Sequence, residues 1–97
     1  MIRVGVVGAG LIGRERLIAI RTLKAQGKQV ELSGIVDAND ALREKTAAEF
    51  AVPAFSNLED LLNASPSWVM VALPHDAAVA AAETALRAGA ADIDLSN

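Results

Sequence analysis

The residues of this chain with the clearest capacity for chemistry form a glycine-rich hexapeptide, Gly8-Ala9-Gly10-Leu11-Ile12-Gly13. It lies between an apolar run typical of a strand and a run typical of a helix. Gly8 allows a tight turn, Gly10 lets a pyrophosphate approach the backbone, and Gly13 lets the helix pack close to a sheet. The free N–H groups and the positive dipole end of that helix attract phosphate. The hexapeptide therefore predicts a backbone cradle for a pyrophosphate.

An acidic residue, Asp37, follows the next apolar run, where dinucleotide-binding folds place the carboxylate that binds the ribose hydroxyls. Its separation from the glycines exceeds the usual spacing of about 20 residues, which a long first helix and the turn at residues 26–29 explain. This carboxylate, with Ala38 beside it, would accept hydroxyl hydrogen bonds from NAD and repel the 2′-phosphate of NADP, so NAD is the expected cofactor. Arg43 in the following helix is the one nearby cation that could favour NADP. The alternative is that Asp37 or Asn39 only caps that helix.

A third segment, Leu73-Pro74-His75, leaves an almost continuous apolar run that begins at Trp68. In a dinucleotide-binding fold this loop runs beside the ribose and the nicotinamide, and Pro74 would stiffen it. His75 is the single histidine of the chain and could act as a general acid or base, or as a polar residue at a helix start. Because the sequence shows no partner network around it, contact with the nicotinamide half is favoured, and no catalytic residue is assigned.

Two carboxylates near the end of the chain, Asp92 and Asp94, would lie on the same face of a strand. Such a pair could hold a metal ion or serve as an acid and a base, but charges on a solvated terminal segment are the favoured interpretation. The chain has no cysteine, which excludes disulfides and thiolate chemistry. On this interpretation no metal site is expected.

Strands and helices that alternate along the whole chain must position these segments. Apolar residues recur at helical spacing in some runs, and shorter apolar runs between them are typical of strands. The expected elements are strands at 2–7, 29–36, 52–55, 68–73 and 92–95, and helices at 11–26, 40–50, 58–63 and 76–88. This alternation predicts an α/β fold: a three-layer, doubly wound parallel sheet of five strands in the order 3-2-1-4-5. All three candidate segments then lie at carboxyl ends of strands, near the crevice where the order reverses.

Composition limits the class of protein. The chain has 97 residues, 53% hydrophobic and 22% charged, which predicts one globular domain over residues 1–97. Its net charge is −3 and it has no basic stripe, so nucleic acid is not an expected partner. No apolar run approaches the roughly 20 residues that span a bilayer, and a first strand from Ile2 leaves no room for a signal peptide. The chain is therefore expected to be soluble and cytoplasmic, without a membrane partner.

Five segments together resemble the glucose–fructose oxidoreductase and inositol dehydrogenase family, over about the first 90 residues. They are residues 4–13, 31–37, 48–53, 58–62 and 71–75. The resemblance implies an N-terminal NAD(P)-binding Rossmann domain, in which the three glycines hold the pyrophosphate and Asp37 the adenosine ribose. Leu73, Pro74 and His75 match the loop beside the nicotinamide ribose. The resemblance also implies a C-terminal α/β domain that supplies a sugar or polyol site and oligomer contacts.

The resemblance ends after Ala88-Gly89. The family continues through a hydrophobic strand into a Glu-Lys-Pro motif whose lysine lies near the substrate, and Ser96 falls about where that lysine would be. The lysine and the second domain are absent from this chain. The 97-residue chain alone is therefore expected to bind cofactor without turning over a substrate.

The expected function is the cofactor-binding domain of an NAD(P)-dependent oxidoreductase, which passes hydride between nicotinamide and a sugar, polyol or related hydroxyl compound. The small-molecule substrate would bind through the missing second domain. Two alternatives stay open: a non-catalytic dinucleotide-binding regulatory module, and a structural or interaction remnant of the fold. In the latter, an exposed sheet edge could drive self-association into a homo-oligomer.

Overall fold

A computed structural model describes residues 2–73, 75–87 and 92–95 of the chain. Strands and helices alternate as the sequence predicts, and the boundaries that differ from the predicted ones do so by one or two residues. The elements are β1 (Ile2–Val7), α1 (Leu11–Ala25), β2 (Val30–Val36), α2 (Asp40–Phe50), β3 (Ala54–Phe55), α3 (Leu58–Asn63), β4 (Trp68–Val71), α4 (His75–Arg87) and β5 (Asp92–Leu95).

The strands pair in parallel around β1, which has β2 on one side and β4 on the other. β3 pairs with β2, and the backbone of β5 lies beside β4, so the sheet runs β3-β2-β1-β4-β5. The parallel α/β class and the predicted order 3-2-1-4 are confirmed. Because the order reverses between β1 and β4, a crevice opens at the carboxyl ends of these two strands.

Hydrophobic side chains fill both faces of the sheet, because helices cover a parallel sheet on each side. Successive residues of β1 point to opposite faces: Val6 belongs to one cluster and Val7 to the other. The cluster against α1 and α2 contains Val4, Val6, Leu17, Ile20, Ile35, Phe50 and Val52. The cluster on the face of α3 and α4 contains Val7, Val36, Leu61, Val69 and Val71, with Leu58, Leu62 and Ala81 packed against it.

A β-bulge interrupts the pairing of β1 with β2. Val4 pairs with Leu32. The next residue, Gly5, pairs with Gly34, which leaves Ser33 as an extra residue in β2. Ser33 is buried, and no hydrogen-bond partner of its hydroxyl lies among the described residues. The bulge sets the register in which β2 ends beside β1, and therefore the position of the acidic residue that follows β2.

Leu61 of α3 fills a depression in the sheet at the paired glycines Gly5 and Gly34. A Cβ atom at Gly5 would lie 2.9 Å from the Leu61 side chain. A Cβ atom at Gly34 would lie 2.6 Å from the ring of Phe55 and 3.0 Å from Leu61. Leu61 is fully buried in this depression. The two absent side chains therefore let α3 approach the sheet closely.

Helices α2 and α3 begin with asparagine caps, whereas α1 does not. Asn39 Oδ1 accepts a hydrogen bond from Leu42 N–H at 3.0 Å, and Asn57 Oδ1 accepts one from Asp60 N–H at 2.9 Å. The second contact caps the start of α3. Both helices also carry acidic residues in the first turn. α1 follows Gly10, which has no side chain to accept a hydrogen bond, and its first turn has no acidic residue.

Candidate functional site

Gly8 turns the chain out of β1 into the loop before α1. Its φ angle is +98°, which side chains disfavour, and its N–H donates to the main-chain oxygen of Val36 at 2.7 Å. A Cβ atom at this position would lie 2.4 Å from the main-chain oxygen of Ala72, just beyond β4. The loop therefore passes so close to the ends of β2 and β4 that only glycine fits.

The other two glycines of the motif differ in what requires them. A Cβ atom at Gly13 would lie 1.7 Å from the main-chain oxygen of Gly8, so Gly13 allows α1 to pack on the loop. Gly10 has a φ angle of −72°, and a Cβ atom there would have no protein atom within 4 Å. Neither backbone strain nor packing requires glycine at position 10. Close approach of a ligand to the backbone is the remaining physical reason for a glycine there.

The N-terminal end of α1 is open to solvent. Gly10 is exposed, and Leu11 at the first helical position is 77% exposed. Ile12 is half-buried behind them. The first N–H groups of a helix have no acceptor within the helix, and the helix dipole makes this end positive. Since no side chain caps α1, this end can receive an anion.

Asp37 lies directly against the glycine loop. Its Oδ2 atom accepts a hydrogen bond from Ala9 N–H at 2.8 Å, and its Oδ1 atom accepts one from Asn39 N–H at 2.8 Å. Each carboxylate oxygen has two lone pairs, so each can accept one further hydrogen bond. The structure thus brings together the two main sequence candidates, through a contact across 28 residues that the sequence does not reveal.

The capping role at the start of α2 belongs to Asn39 rather than to Asp37. The Asn39 side chain accepts from the backbone of α2, whereas the Asp37 carboxylate holds the loop and the Asn39 N–H. Ala38, between them, is exposed. The capping alternative raised for Asp37 therefore does not describe the contacts that its carboxylate makes.

Arg43 of α2 is drawn back toward the end of β2. Its Nη1 donates to the main-chain oxygen of Asp37 at 2.8 Å, and its Nη2 donates to Asp40 Oδ1 at 2.7 Å. The side chain of Arg43 is 14% exposed and that of Asp40 is 84% exposed. The sequence singled out Arg43 only as a nearby cation. Its spacing of three residues from Asp40 on a helix is the signal that indicates this ion pair.

The end of β4 also meets the glycine loop. Ala72 N–H donates to the main-chain oxygen of Val7 at 2.7 Å. Leu73 is half-buried, and its Cδ2 atom lies 3.1 Å from where a Cβ atom of Gly8 would be. Leu73 therefore lies against the turn that leads into α1, on the side opposite β2.

The remaining sequence candidates are placed only in part. Pro74 and Ser96 lie outside the described residues. His75 is the first residue of α4, one position before the predicted helix start. Asp92 is the first residue of β5, and its backbone pairs with that of Trp68. These positions stay predictions as far as ligand contacts are concerned.

Arg14 of α1 is turned away from the open end of its helix. Its guanidinium forms an ion pair with Glu49 of α2 and lies 5.7 Å from the ring centroid of Phe50. Arg21 lies over the same ring at 4.6 Å. The charge of Arg14 therefore joins α1 to α2.

No group of three or more metal-ligating side chains lies together in residues 2–73, 75–87 and 92–95. Over the same described part of the chain, no helix combines the length and the apolar character needed to cross a bilayer.

A glycine loop at the point where a parallel sheet reverses its strand order is how Rossmann-type domains bind dinucleotides, and this chain has that arrangement. The chain belongs to the GFO/IDH/MocA family, described as an oxidoreductase family with an NAD-binding Rossmann fold, and matches it over residues 2–93. The resemblance drawn from the sequence is thereby confirmed. The chain is an NAD(P)-binding domain of this oxidoreductase family.

Relatives of known activity support this assignment. Glucose-6-phosphate 3-dehydrogenase of Bacillus subtilis (strain 168) is 33% identical over 75 residues, which are 77% of this chain and 20% of that protein. The WlbA dehydrogenase from Bordetella pertussis, solved with NADH and UDP-GlcNAcA, has a TM-score of 0.86 and 28% identity, covering 96% of this chain and 28% of that one. Biliverdin reductase from Synechocystis sp. PCC 6803, solved with biliverdin and NADP+, has a TM-score of 0.82 and 28% identity, covering 97% and 28%.

The chain spans between 20% and 28% of the length of these relatives. Their structures hold NADH in one case and NADP+ in the other, so the fold is compatible with both nucleotides. The fold by itself therefore does not set the preference between them.

Proposed function

We propose that this chain is the NAD-binding domain of an oxidoreductase that passes hydride between nicotinamide and a sugar, polyol or related hydroxyl compound. The observation that carries the proposal is that the uncapped N-terminal end of α1 lies beside Asp37. The Asp37 carboxylate accepts a hydrogen bond from Ala9 N–H, in the loop that leads into this helix. N–H donors suited to a pyrophosphate and a carboxylate suited to ribose hydroxyls are therefore adjacent, as a dinucleotide requires.

Different N–H groups of the hexapeptide region have different roles: some hold the loop in shape, and others are free to bind the ligand. The N–H groups of Gly8 and Ala9 already donate to Val36 and Asp37 within the protein, so they fix the loop. In the proposal the open helix end then supplies the donors to the pyrophosphate. The residues proposed to contact the cofactor here are Gly8, Ala9, Gly10, Leu11, Ile12 and Gly13.

The two ends of the nucleotide are proposed to lie on opposite sides of this loop. Asp37 and Ala38, after β2, would hold the adenosine ribose. Leu73, Pro74 and His75, after β4, would line the nicotinamide half. When bound, the nicotinamide supplies the hydride chemistry, and the chain contributes binding, orientation and exclusion of water.

The preference for NAD rests on the Asp37 carboxylate. It retains lone pairs for two ribose hydroxyls after its contacts with Ala9 and Asn39. The same negative charge would lie against the 2′-phosphate of NADP and repel it. We therefore propose NAD as the cofactor, with NADP bound more weakly.

The substrate class is proposed from the relatives. One is a glucose-6-phosphate 3-dehydrogenase by name, and another was solved with a UDP-sugar derivative. Since the chain covers 28% of the latter, the substrate site is proposed to lie in the part of such enzymes that this chain does not match. We assign no catalytic residue to the 97-residue chain and expect no turnover from it alone.

The test is a titration of the purified chain with NADH and, separately, NADPH, followed by energy transfer from Trp68, the single tryptophan. Saturable binding of NADH that is tighter than that of NADPH is the expected result. The Asp37→Ser variant should lose about tenfold in NADH affinity, because a hydrogen bond to a charged group is worth about 1.5 kcal/mol.

The matched control is Asp60→Ser, which changes an exposed aspartate of α3 and should leave both affinities unchanged. Circular dichroism would establish that each variant is folded. A folded wild-type chain that binds neither nucleotide would overturn the proposal that this domain holds the cofactor by itself. Equal losses in the two variants would remove the special role of Asp37.

A further inference from the structure

A guanidinium group lies next to the residue proposed to mark the adenosine ribose. Arg43 Nη1 donates to the main-chain oxygen of Asp37 at 2.8 Å, while the Asp37 carboxylate faces the glycine loop. Arginine presents a planar fork of donors that matches a phosphate in shape and charge. Without a carboxylate partner, a cation at this place would attract the 2′-phosphate that distinguishes NADP from NAD.

Asp40 forms an ion pair with that guanidinium and lies on its solvent side. Its Oδ1 atom accepts from Arg43 Nη2 at 2.7 Å, so one prong of the fork is already used by a carboxylate. The Arg43 side chain is 14% exposed and the Asp40 side chain is 84% exposed. An anion that approaches from solvent therefore meets the carboxylate, and the positive charge behind it is largely neutralised.

We propose that Asp40 is a specificity-determining residue that withholds Arg43 from a 2′-phosphate, so that the preference for NAD depends on Asp40 as well as on Asp37. This inference rests on the proposed function, because it concerns the ribose end of the same site. Asp40 acts through Arg43 and contacts no part of the nucleotide. Arg43 contributes to NADP binding only when this carboxylate is neutralised or removed.

The experiment compares the dissociation constants for NADH and NADPH in the wild-type chain and in Asp40→Asn. Asparagine keeps an oxygen that can accept from Arg43 and removes only the charge. Since an exposed ion pair is worth up to about 1 kcal/mol, NADPH affinity should rise about fivefold relative to NADH affinity. Thermal denaturation would verify that the variant is folded.

The matched control is Glu44→Gln, which removes one negative charge from an exposed position of the same helix. It should leave the ratio of the two affinities unchanged, because a solvent-screened charge that does not touch Arg43 acts weakly. A shift as large as that of Asp40→Asn would mean that net charge alone sets the ratio, and would overturn the inference.

Arg43→Met and the double variant Asp40→Asn/Arg43→Met separate the acid from the cation that it controls. Without Arg43, neutralising Asp40 should no longer raise NADPH affinity. If the double variant keeps the fivefold gain, Asp40 repels the phosphate directly and the role assigned to Arg43 is wrong. If wild type binds NADH but Asp40→Asn leaves the ratio unchanged, the inference fails and the proposed function stands. If wild type binds neither nucleotide, both fail.

Discussion

The N-terminal ends of α1 and α2 both lie close to Asp37, but only that of α2 is capped by a side chain. α2 has the Asn39 cap, which accepts from Leu42 N–H, and Asp40 in its first turn, whose negative charge favours the positive end of the helix dipole. α1 follows Gly10 and has neither a side-chain cap nor an acidic first turn. The chain caps one helix end with a side chain and leaves the other without such a cap.

The difference teaches what holds each helix in place. An N-cap side chain is worth about 1 kcal/mol relative to alanine and a few tenths of that relative to glycine, the residue at the N-cap of α1. α1 instead buries Gly13, Leu17 and Ile20 against the sheet. Its position therefore depends on tertiary packing, and its N-terminal end has no side-chain cap. α2 buries Thr46 and Phe50 only, and its start is fixed by local contacts.

The largest effect is expected where the packing of α1 is broken. Gly13→Ala would place a Cβ atom 1.7 Å from the main-chain oxygen of Gly8, so the helix must move away from the loop. We expect the free energy of unfolding to fall by about 3 kcal/mol, measured by chemical denaturation. Helix propensity alone predicts the opposite sign, a gain of about 1 kcal/mol for glycine to alanine.

The control for Gly13→Ala is Ala19→Gly, at an exposed position of the same helix, where only propensity acts. It should lower the free energy of unfolding by about 1 kcal/mol. A Gly13→Ala variant that is as stable as wild type would show that α1 does not need the close approach to Gly8.

The next effect comes from closing the open helix end. Gly10→Asp would give α1 the cap and the negative charge that α2 has, and its Cβ atom would meet no protein atom. We expect the free energy of unfolding to rise by about 0.5 kcal/mol, because glycine is itself a fair N-cap and the gain comes mainly from a negative charge at the positive end of the helix dipole. NADH affinity should fall about thirtyfold, or about 2 kcal/mol, because a carboxylate replaces the phosphate at the helix end.

Gly10→Ala separates the added charge from the added bulk in this experiment. It supplies a methyl group without a cap, and alanine is a poorer N-cap than glycine, so it should lower the free energy of unfolding by less than about 1 kcal/mol while weakening NADH binding less than aspartate does. Denaturation and nucleotide titration on the same samples give both quantities. A more stable Gly10→Asp variant with wild-type affinity would show that the nucleotide does not use this end of α1.

The smallest effect is expected from removing the N-cap of α2. Asn39→Ala removes the side chain that accepts from Leu42 N–H and should lower the free energy of unfolding by about 1 kcal/mol. Asn57→Ala, which uncaps α3, should have an effect of similar size. NADH affinity should stay within about twofold of wild type in both, because neither cap side chain contacts the nucleotide in the proposal. A loss in Asn39→Ala as large as in Asp37→Ser would place the start of α2 inside the site.

Local sequence was sufficient to predict the helices and strands and the order of the strands in the sheet. The glycine hexapeptide between a strand and a helix, and an acidic residue after the next strand, predicted the loop and the end of β2 that the structure brings together. These signals are local, since they depend on periodicity, turn chemistry and the handedness of crossovers. The predicted order 3-2-1-4 follows from them without any side-chain detail.

Contacts between distant residues could not be predicted in the same way. The bond from Ala9 to Asp37 and the ion pair of Arg14 with Glu49 each join different elements, across 28 and 35 residues. Their formation depends on rotamers and on how α1 and α2 sit on the sheet. The bulge at Ser33 was likewise not predicted, because the sequence of β2 does not show which of its residues lacks a partner on β1.

The depression that holds Leu61 has an evolutionary consequence. Gly5 and Gly34 lie side by side on neighbouring strands, and together they supply the volume that one leucine of α3 fills. A descendant that gained a methyl group at Gly5 would overfill that space unless Leu61 shortened in the same lineage, and one that gained it at Gly34 would also have to move the ring of Phe55. We therefore expect these three positions to covary. In an alignment of descendants, a larger residue at either position in the sheet should accompany a smaller residue on the helix.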